Sequence, residues 1–476
     1  MTRGVSRGGF ELPLRFFLPL VILVLQVGVV CADEEKLFAY KARQIYPASA
    51  PVVENGLLVV RGKRVEAVLQ GFEKPPDGAE LVDLGAAVIV PGFVNPLTAM
   101  SEKTYMGYRA PSIPSLPGGS PGDSRNVVAL ASVKAEELVY RRLGRSGYTA
   151  LAWVPATSGF IAGQAYVLRP SVGGEKLAKE LSLRESAYLF VSFEMGNRWR
   201  VAVEKAFKKA AAAIVKEREE KEKKDEKKTK ERGSEGKDPE KKEQDKEKPD
   251  SDDPVTPDGD GEKKDPVSTK KPKPSKPEKD SPTPLIDAFR GEATMFIRVR
   301  SPAAVDHLLR VVDGLPVMPR FVLVIPPQPA ETVEKISARK ELIRGVVVEP
   351  RMGTFWQTSV LVHSVRLFSE RGLDVAMVPL SDTLDGHLRM PFLLAEMLKG
   401  GMFLREVLAG VTTVPASFLG LEGKVGRLAQ GAFASFAVYH GDPFGGNARL
   451  AKVFVEGVEV FVDDVETLEV SGEAVK

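Results

Sequence analysis

Apolar and polar positions alternate along this 476-residue chain in two ways, and the two sort into different regions. Both ends carry short strand patterns. Ala39 to Tyr46 comes first, then Asn55-Gly56, a hairpin signal ahead of Leu57-Leu58-Val59-Val60, and then Val65 to Leu69. The far end repeats the pattern in Ala434 to Tyr439 and Ala451 to Val460. Between them, strand candidates alternate with helical periodicity: Ala87-Val88-Ile89-Val90, Tyr148 to Val154, Ala293 to Val299, Phe321 to Ile325, Gly345 to Val348 and Asp374 to Val378. A helical stretch spans Val127 to Leu143, and Ser301-Pro302 opens another helix with an N-cap and a proline at its first position. Strand–helix alternation predicts a parallel α/β arrangement with about seven strands.

Composition and charge add three constraints. Residues 1–32 read as a signal peptide: Arg3, Arg7 and Arg15 lead into the apolar run Phe16 to Val30, and Val30-Cys31-Ala32 closes it. The run falls short of the roughly 20 residues a spanning helix needs. A secreted or periplasmic location is expected, with membrane anchoring as the alternative. Cys31 is the only cysteine, so the mature chain has neither a disulfide nor a thiolate ligand. Residues 217–283 are Lys, Glu, Asp, Pro and Ser with almost nothing apolar, and are expected to be a disordered insertion. Its opening, from Ala206 to Arg232, can continue as an exposed charged helix or coiled coil. Acid and base nearly balance there, which argues against nucleic acid as a partner.

Several stretches resemble the amidohydrolase superfamily, most nearly its imidazolonepropionase-like group. Asn55 to Val68 resembles the family's entry, Leu404 to Ala416 its closing helix, Leu419 to Gly431 its return segment and His440-Gly441-Asp442-Pro443-Phe444 its closing motif. Pro91-Gly92-Phe93-Val94-Asn95-Pro96-Leu97-Thr98-Ala99 resembles the first barrel strand, which in the family reads Pro-Gly-Phe-Ile-Asp-x-His-x-His. The resemblance implies a (β/α)8 TIM-like barrel (87–216 and 284–424) with a small β-sandwich from both ends (33–86 and 425–470). It also implies a divalent metal such as zinc at the C-terminal mouth of the strands, activating water to hydrolyse a C–N bond.

The ligand positions do not follow the family. Leu97 and Ala99 replace the first histidine pair, Arg298 and Arg300 a second, and Ile325 stands where another histidine is expected. Asp382 is a candidate for the last-strand aspartate, about two residues late. Of the four histidines, His307 and His363 are expected on outer helices and His440 at a terminal strand. Only His387, in the loop after Asp382, is within reach of the mouth, where a lone loop histidine is expected to be solvated. Arg298 and Arg300, two apart on one strand, either form an anion pocket or pair with Glu349, Asp382 or Asp385. The sequence therefore reads as an amidohydrolase-fold protein that has lost its metal centre and serves as a non-catalytic binding or scaffold protein for an anion or a protein partner. The alternative is an active C–N hydrolase with rearranged ligands, for which Asp382 and His387 are the catalytic candidates.

Overall fold

A computed structural model describes residues 36–71, 73–98, 143–154, 160–170, 180–193, 197–234, 283–354, 359, 361–445 and 448–463. The segment expected to be a signal peptide (1–32), Ala99, residues 127–142 of the expected helical stretch and residues 235–282 of the charged insertion lie outside the described residues.

The two ends of the chain share one eight-stranded sheet. It contains β1 (Leu37–Ile45), β2 (Val53–Arg61), β3 (Arg64–Leu69), β4 (Glu80–Asp83) and β5 (Val88–Pro91). Antiparallel pairing of β5 with Phe436–Tyr439 brings in the C-terminal strands. The hairpin does not turn at Asn55-Gly56, which lie inside β2. Asn55 takes a positive φ of 47° there, and a Cβ at Gly56 would come within 2.9 Å of the Ile45 and Val53 side chains, which would have to shift. The β1–β2 connection falls earlier, at residues 46–52, while Gly62, with φ of 54°, turns the next hairpin from β2 into β3.

After β5 the chain passes into the central region at Gly92, where a Cβ would collide with the Thr149 side chain. There follow β6 (Phe93–Thr98), β7 (Tyr148–Trp153), β8 (Ile161–Gln164), β9 (Tyr166–Leu168), β10 (Ser182–Arg184), β11 (Tyr188–Ser192), α1 (Asn197–Ser234) and α2 (Thr283–Arg290). Next come β12 (Thr294–Arg298), α3 (Pro302–Asp313), β13 (Phe321–Val324), α4 (Ala330–Ser337) and β14 (Ile343–Val348). The short pair β15 (Gly353–Thr354) and β16 (Leu361–Val362) precedes α5 (Ser364–Glu370) and β17 (Asp374–Met377). The region closes with α6 (Leu384–Leu388), α7 (Met390–Lys399), α8 (Leu404–Val411) and α9 (Thr413–Phe418), before β18 (Phe436–His440), β19 (Arg449–Val455) and β20 (Val458–Val462) complete the end sheet.

Seven of these strands run parallel in two sheets: β6 with β7, and β11, β12, β13, β14 and β17 in order. Residues 161–168 bridge the sheets as one bent strand, since β8 pairs with β11 and β9 with β7. Ala165 holds the bend, donating its N–H to Tyr188 and accepting from Ala187. Among the described residues no strand pairing joins β6 to β17, and the described pairings leave the ring of strands open there.

Alternation along the strands splits the core into layers. Met295, Ile297, Leu323 and Val375 face the helices, packing with Val305, Leu308, Val333 and Phe368. Val94, Ala150, Phe296, Val322, Val347 and Ala376 face inward with Phe418 of α9. Ser301 caps α3 by accepting from the Ala304 N–H, with Pro302 following, as the sequence predicts. α1 buries Val203, Phe207, Ala210 and Ile214 on one face and then runs on to Ser234, through the start of the segment expected to be disordered. Arg290 of α2 pairs with Glu217 at that departure.

Candidate functional site

β6 is an edge strand, which suits Pro96 because a proline has no N–H to give a ladder. Its pairing with β7 is irregular between Asn95 and Thr98. There the Asn95 side chain takes over a backbone role: its Oδ1 accepts the Leu97 N–H at 3.0 Å. The carbonyl of Pro96 accepts from the Tyr188 hydroxyl at 2.7 Å. The Tyr188 ring lies flat on Phe296 at 3.8 Å. Burial pushes that phenol far up, with the charge of Arg298 pulling it down and that of Asp382 raising it.

Facing β6 is the segment after β17. Thr383 caps the short helix α6 by accepting from the Gly386 N–H at 3.1 Å. Gly386 is required because a Cβ would strike the Ser381 carbonyl. This turn buries His387 completely, against the expectation of a solvated loop group. The reason is tertiary: the imidazole sits edge-on to Tyr148 at 5.0 Å and meets Asn95 across the gap between β6 and β17.

The hydrogen bonds define the His387 tautomer. Nδ1 lies 2.8 Å from the Thr383 carbonyl, which can only accept, so Nδ1 carries the proton. Nε2 then accepts from Asn95 Nδ2 at 3.1 Å. The Asn95 orientation is consistent, because its oxygen is held by Leu97 N–H. Burial lowers the His387 pKa, opposed by the Thr383 bond and the charge of Asp382. A second tie crosses the same gap: Thr98 Oγ1 donates to Asp382 Oδ1 at 2.8 Å.

The other sequence candidates divide. Leu97 packs against the inner core layer. Arg298, at the end of β12, shares the inward parity of Phe296 and lies over the Phe190 ring at 4.8 Å. Arg300 lies beyond the strand end and is exposed, so the two arginines do not sit on one strand face. Ile325 belongs to the outer layer with Leu323, and the inward position is Val324. Glu349 pairs with Arg351 at 3.0 Å and Asp385 with Arg389 at 2.9 Å, leaving Asp382 as the carboxylate on the inner side. His307 lies on α3 against Phe193, His363 caps α5 from outside the helix, and His440 ends β18.

These donors do not fit a catalytic divalent centre, which takes about three protein ligands and an open position. Leu97 has no lone pair and Arg298 is a fixed cation. The Nε2 lone pair of His387 points at the Asn95 amide. Among the described residues no group of three or more His, Cys, Asp or Glu side chains could hold a metal ion. Sequence reading missed Asn95, Thr98, Tyr188 and Thr383. The available signal was Asn95 itself, an amide at the motif's aspartate position.

No protein-family model matches the chain, and no curated protein sequence matches it. Among solved structures, an amidohydrolase from Thermotoga maritima MSB8 aligns with TM-score 0.61 and 19% identity, covering 90% of this chain and 100% of that one. Another amidohydrolase aligns with TM-score 0.47 and 13% identity over 90% and 99% of the two chains. An N-acetylglucosamine-6-phosphate deacetylase from Pasteurella multocida aligns with TM-score 0.41 and 12% identity over 90% and 100%.

Proposed function

We propose that this chain, an amidohydrolase in fold, is a non-catalytic binding protein whose metal centre has been replaced by hydrogen bonds within the protein. In this reading the strands form the family's TIM-type barrel over a terminal β-sandwich, residues 1–32 export the chain, and the ligand is an anion at Arg298. One observation carries the proposal. His387, the histidine at the strand ends, has both ring nitrogens committed, to Thr383 and to Asn95. A metal would have to displace a buried amide to reach it, leaving that donor unmet at a cost of about 1–3 kcal/mol.

The competing reading, a working C–N hydrolase, rests on Asp382 and His387 lying together at the strand ends. Zinc titration of the full chain by calorimetry, with metal analysis after dialysis, separates the two. The expected result is no stoichiometric zinc and no change with Asp382→Asn or His387→Gln. One equivalent of bound zinc that weakens in either variant overturns the proposal in favour of the hydrolase.

A further inference from the structure

α1 changes character partway along its length. Up to Ile214 it has an apolar face, burying Val203, Phe207, Ala210, Ala211 and Ile214, with Phe207 edge-on to Phe289 of α2 at 5.3 Å. After Val215 no apolar residue occurs before the helix ends at Ser234, and every side chain from Arg218 to Glu226 is exposed. A helix that is polar all round has no face to bury and needs another source of support. Two are present. The docked first half supplies the nucleus, so each further residue extends a helix already started. The second is the charge pattern. Residues four apart carry opposite charges in six successive pairs, from Lys216–Glu220 to Lys221–Asp225, and such neighbours stabilise an isolated helix. Lys216 and Glu220 lie 3.9 Å apart. No glycine, proline or β-branched residue interrupts Lys216 to Lys228.

We infer that α1 beyond Ile214 is a single free-standing helix, a stiff spacer that carries the start of residues 235–282 about 30 Å along its axis from the last buried residue. Arg290 of α2 fixes its base through Glu217. A coiled coil between two copies is the competing structure, and it lacks a seam: its a and d positions need apolar side chains, and the segment from Lys216 to Ser234 has none. A partner that grips the chain past Ser234 is thereby held at that distance from the core rather than against it. The spacer stands whether or not the chain binds zinc.

Pulsed electron–electron resonance on the full chain tests this, with nitroxides at Lys209→Cys and Lys227→Cys in a Cys31→Ser background that removes the sole native thiol. The two sites are five whole turns apart on one helix face, so a narrow distance distribution centred at about 27 Å is expected. Glu222→Pro breaks the helix between them and should broaden it. Protein labelled at Lys227→Cys alone should show no dipolar signal. A distribution as broad without the proline as with it overturns the inference. So does a dipolar signal from the single label, which would show a coiled coil between copies. Hydrogen exchange on the unaltered chain decides the matter without substitutions: amides of residues 216–226 are expected to exchange about fivefold or more slowly than in an unstructured chain, and unprotected amides overturn the spacer.

Discussion

Replacing Asn95 with aspartate changes one amide nitrogen to oxygen, and the structure converts that change into a reversal of pH dependence. In the native protein Asn95 Nδ2 donates to His387 Nε2 while Nδ1–H is held by Thr383, so the neutral imidazole satisfies both neighbours. Its pKa is depressed by burial. The folded state then binds this proton less readily than the unfolded state, and stability falls as pH drops below the ordinary histidine value of about 6.5. In Asn95→Asp a carboxylate oxygen faces the Nε2 lone pair, and only the protonated ring can donate to it. The folded pKa rises above the unfolded one. This contribution is then fully present below about pH 6.5 and is lost as pH rises through the new pKa. Each unit of pKa difference is worth about 1.4 kcal/mol, and the unmade bond at neutral or higher pH costs about 1–3 kcal/mol. His307 and His363 also have depressed values, both chiefly through burial, and they slope the parent protein in the same direction. The difference between parent and variant is therefore the informative quantity. Urea unfolding at pH 5, 6, 7 and 8 should give a penalty that grows with pH. Ring-carbon NMR, simplified by a total of four histidines, should show the His387 pKa raised in the variant. A pH-independent penalty, or an unraised His387 pKa, refutes the tautomer assignment. Asn95→Leu, which removes the donor without adding charge, should destabilise without this pH trend.

Two further perturbations probe the supports of the site. Thr98→Val removes the bond to Asp382 and should cost about 1.5–3 kcal/mol, the range for a hydrogen bond to a charged group; amide hydrogen exchange should quicken first in β6 and around Asp382, and unchanged protection there would argue against the tie. Glu456→Ala removes the buried partner of Arg169, which joins the end sheet to the residue after β9, and should cost about 3–5 kcal/mol by denaturant unfolding. A loss under about 1 kcal/mol would show that water satisfies Arg169.

Strands and helix starts were legible because local pattern and chemistry agree. Val, Ile and Ala at alternating positions mark the buried strands, and Ser301-Pro302 marks a cap whatever surrounds it. The hairpin at Asn55-Gly56 was misplaced because packing against Ile45 holds those residues inside β2. The meeting of β6 with the segment after β17 was not legible locally, because Thr98–Asp382 and Asn95–His387 join residues 284 and 292 apart in the chain. The burial of His387 did not follow, since it depends on a five-residue helix pressing against a distant strand. Ile325 was assigned the wrong face because parity along β13 is set by Val322 and Val324. Arg300 was credited to a strand that ends two residues earlier, and strand ends are set by neighbours rather than by the residue itself.

The aromatic column inside the core couples two distant parts of the fold. Phe418 of α9 meets Phe296 edge-on at 6.3 Å, and Tyr188 lies flat on the same ring. Tyr188 in turn holds the Pro96 carbonyl of β6. One ring on β12 therefore links α9 to the edge strand, and in a close-packed interior any change in its size is felt at both.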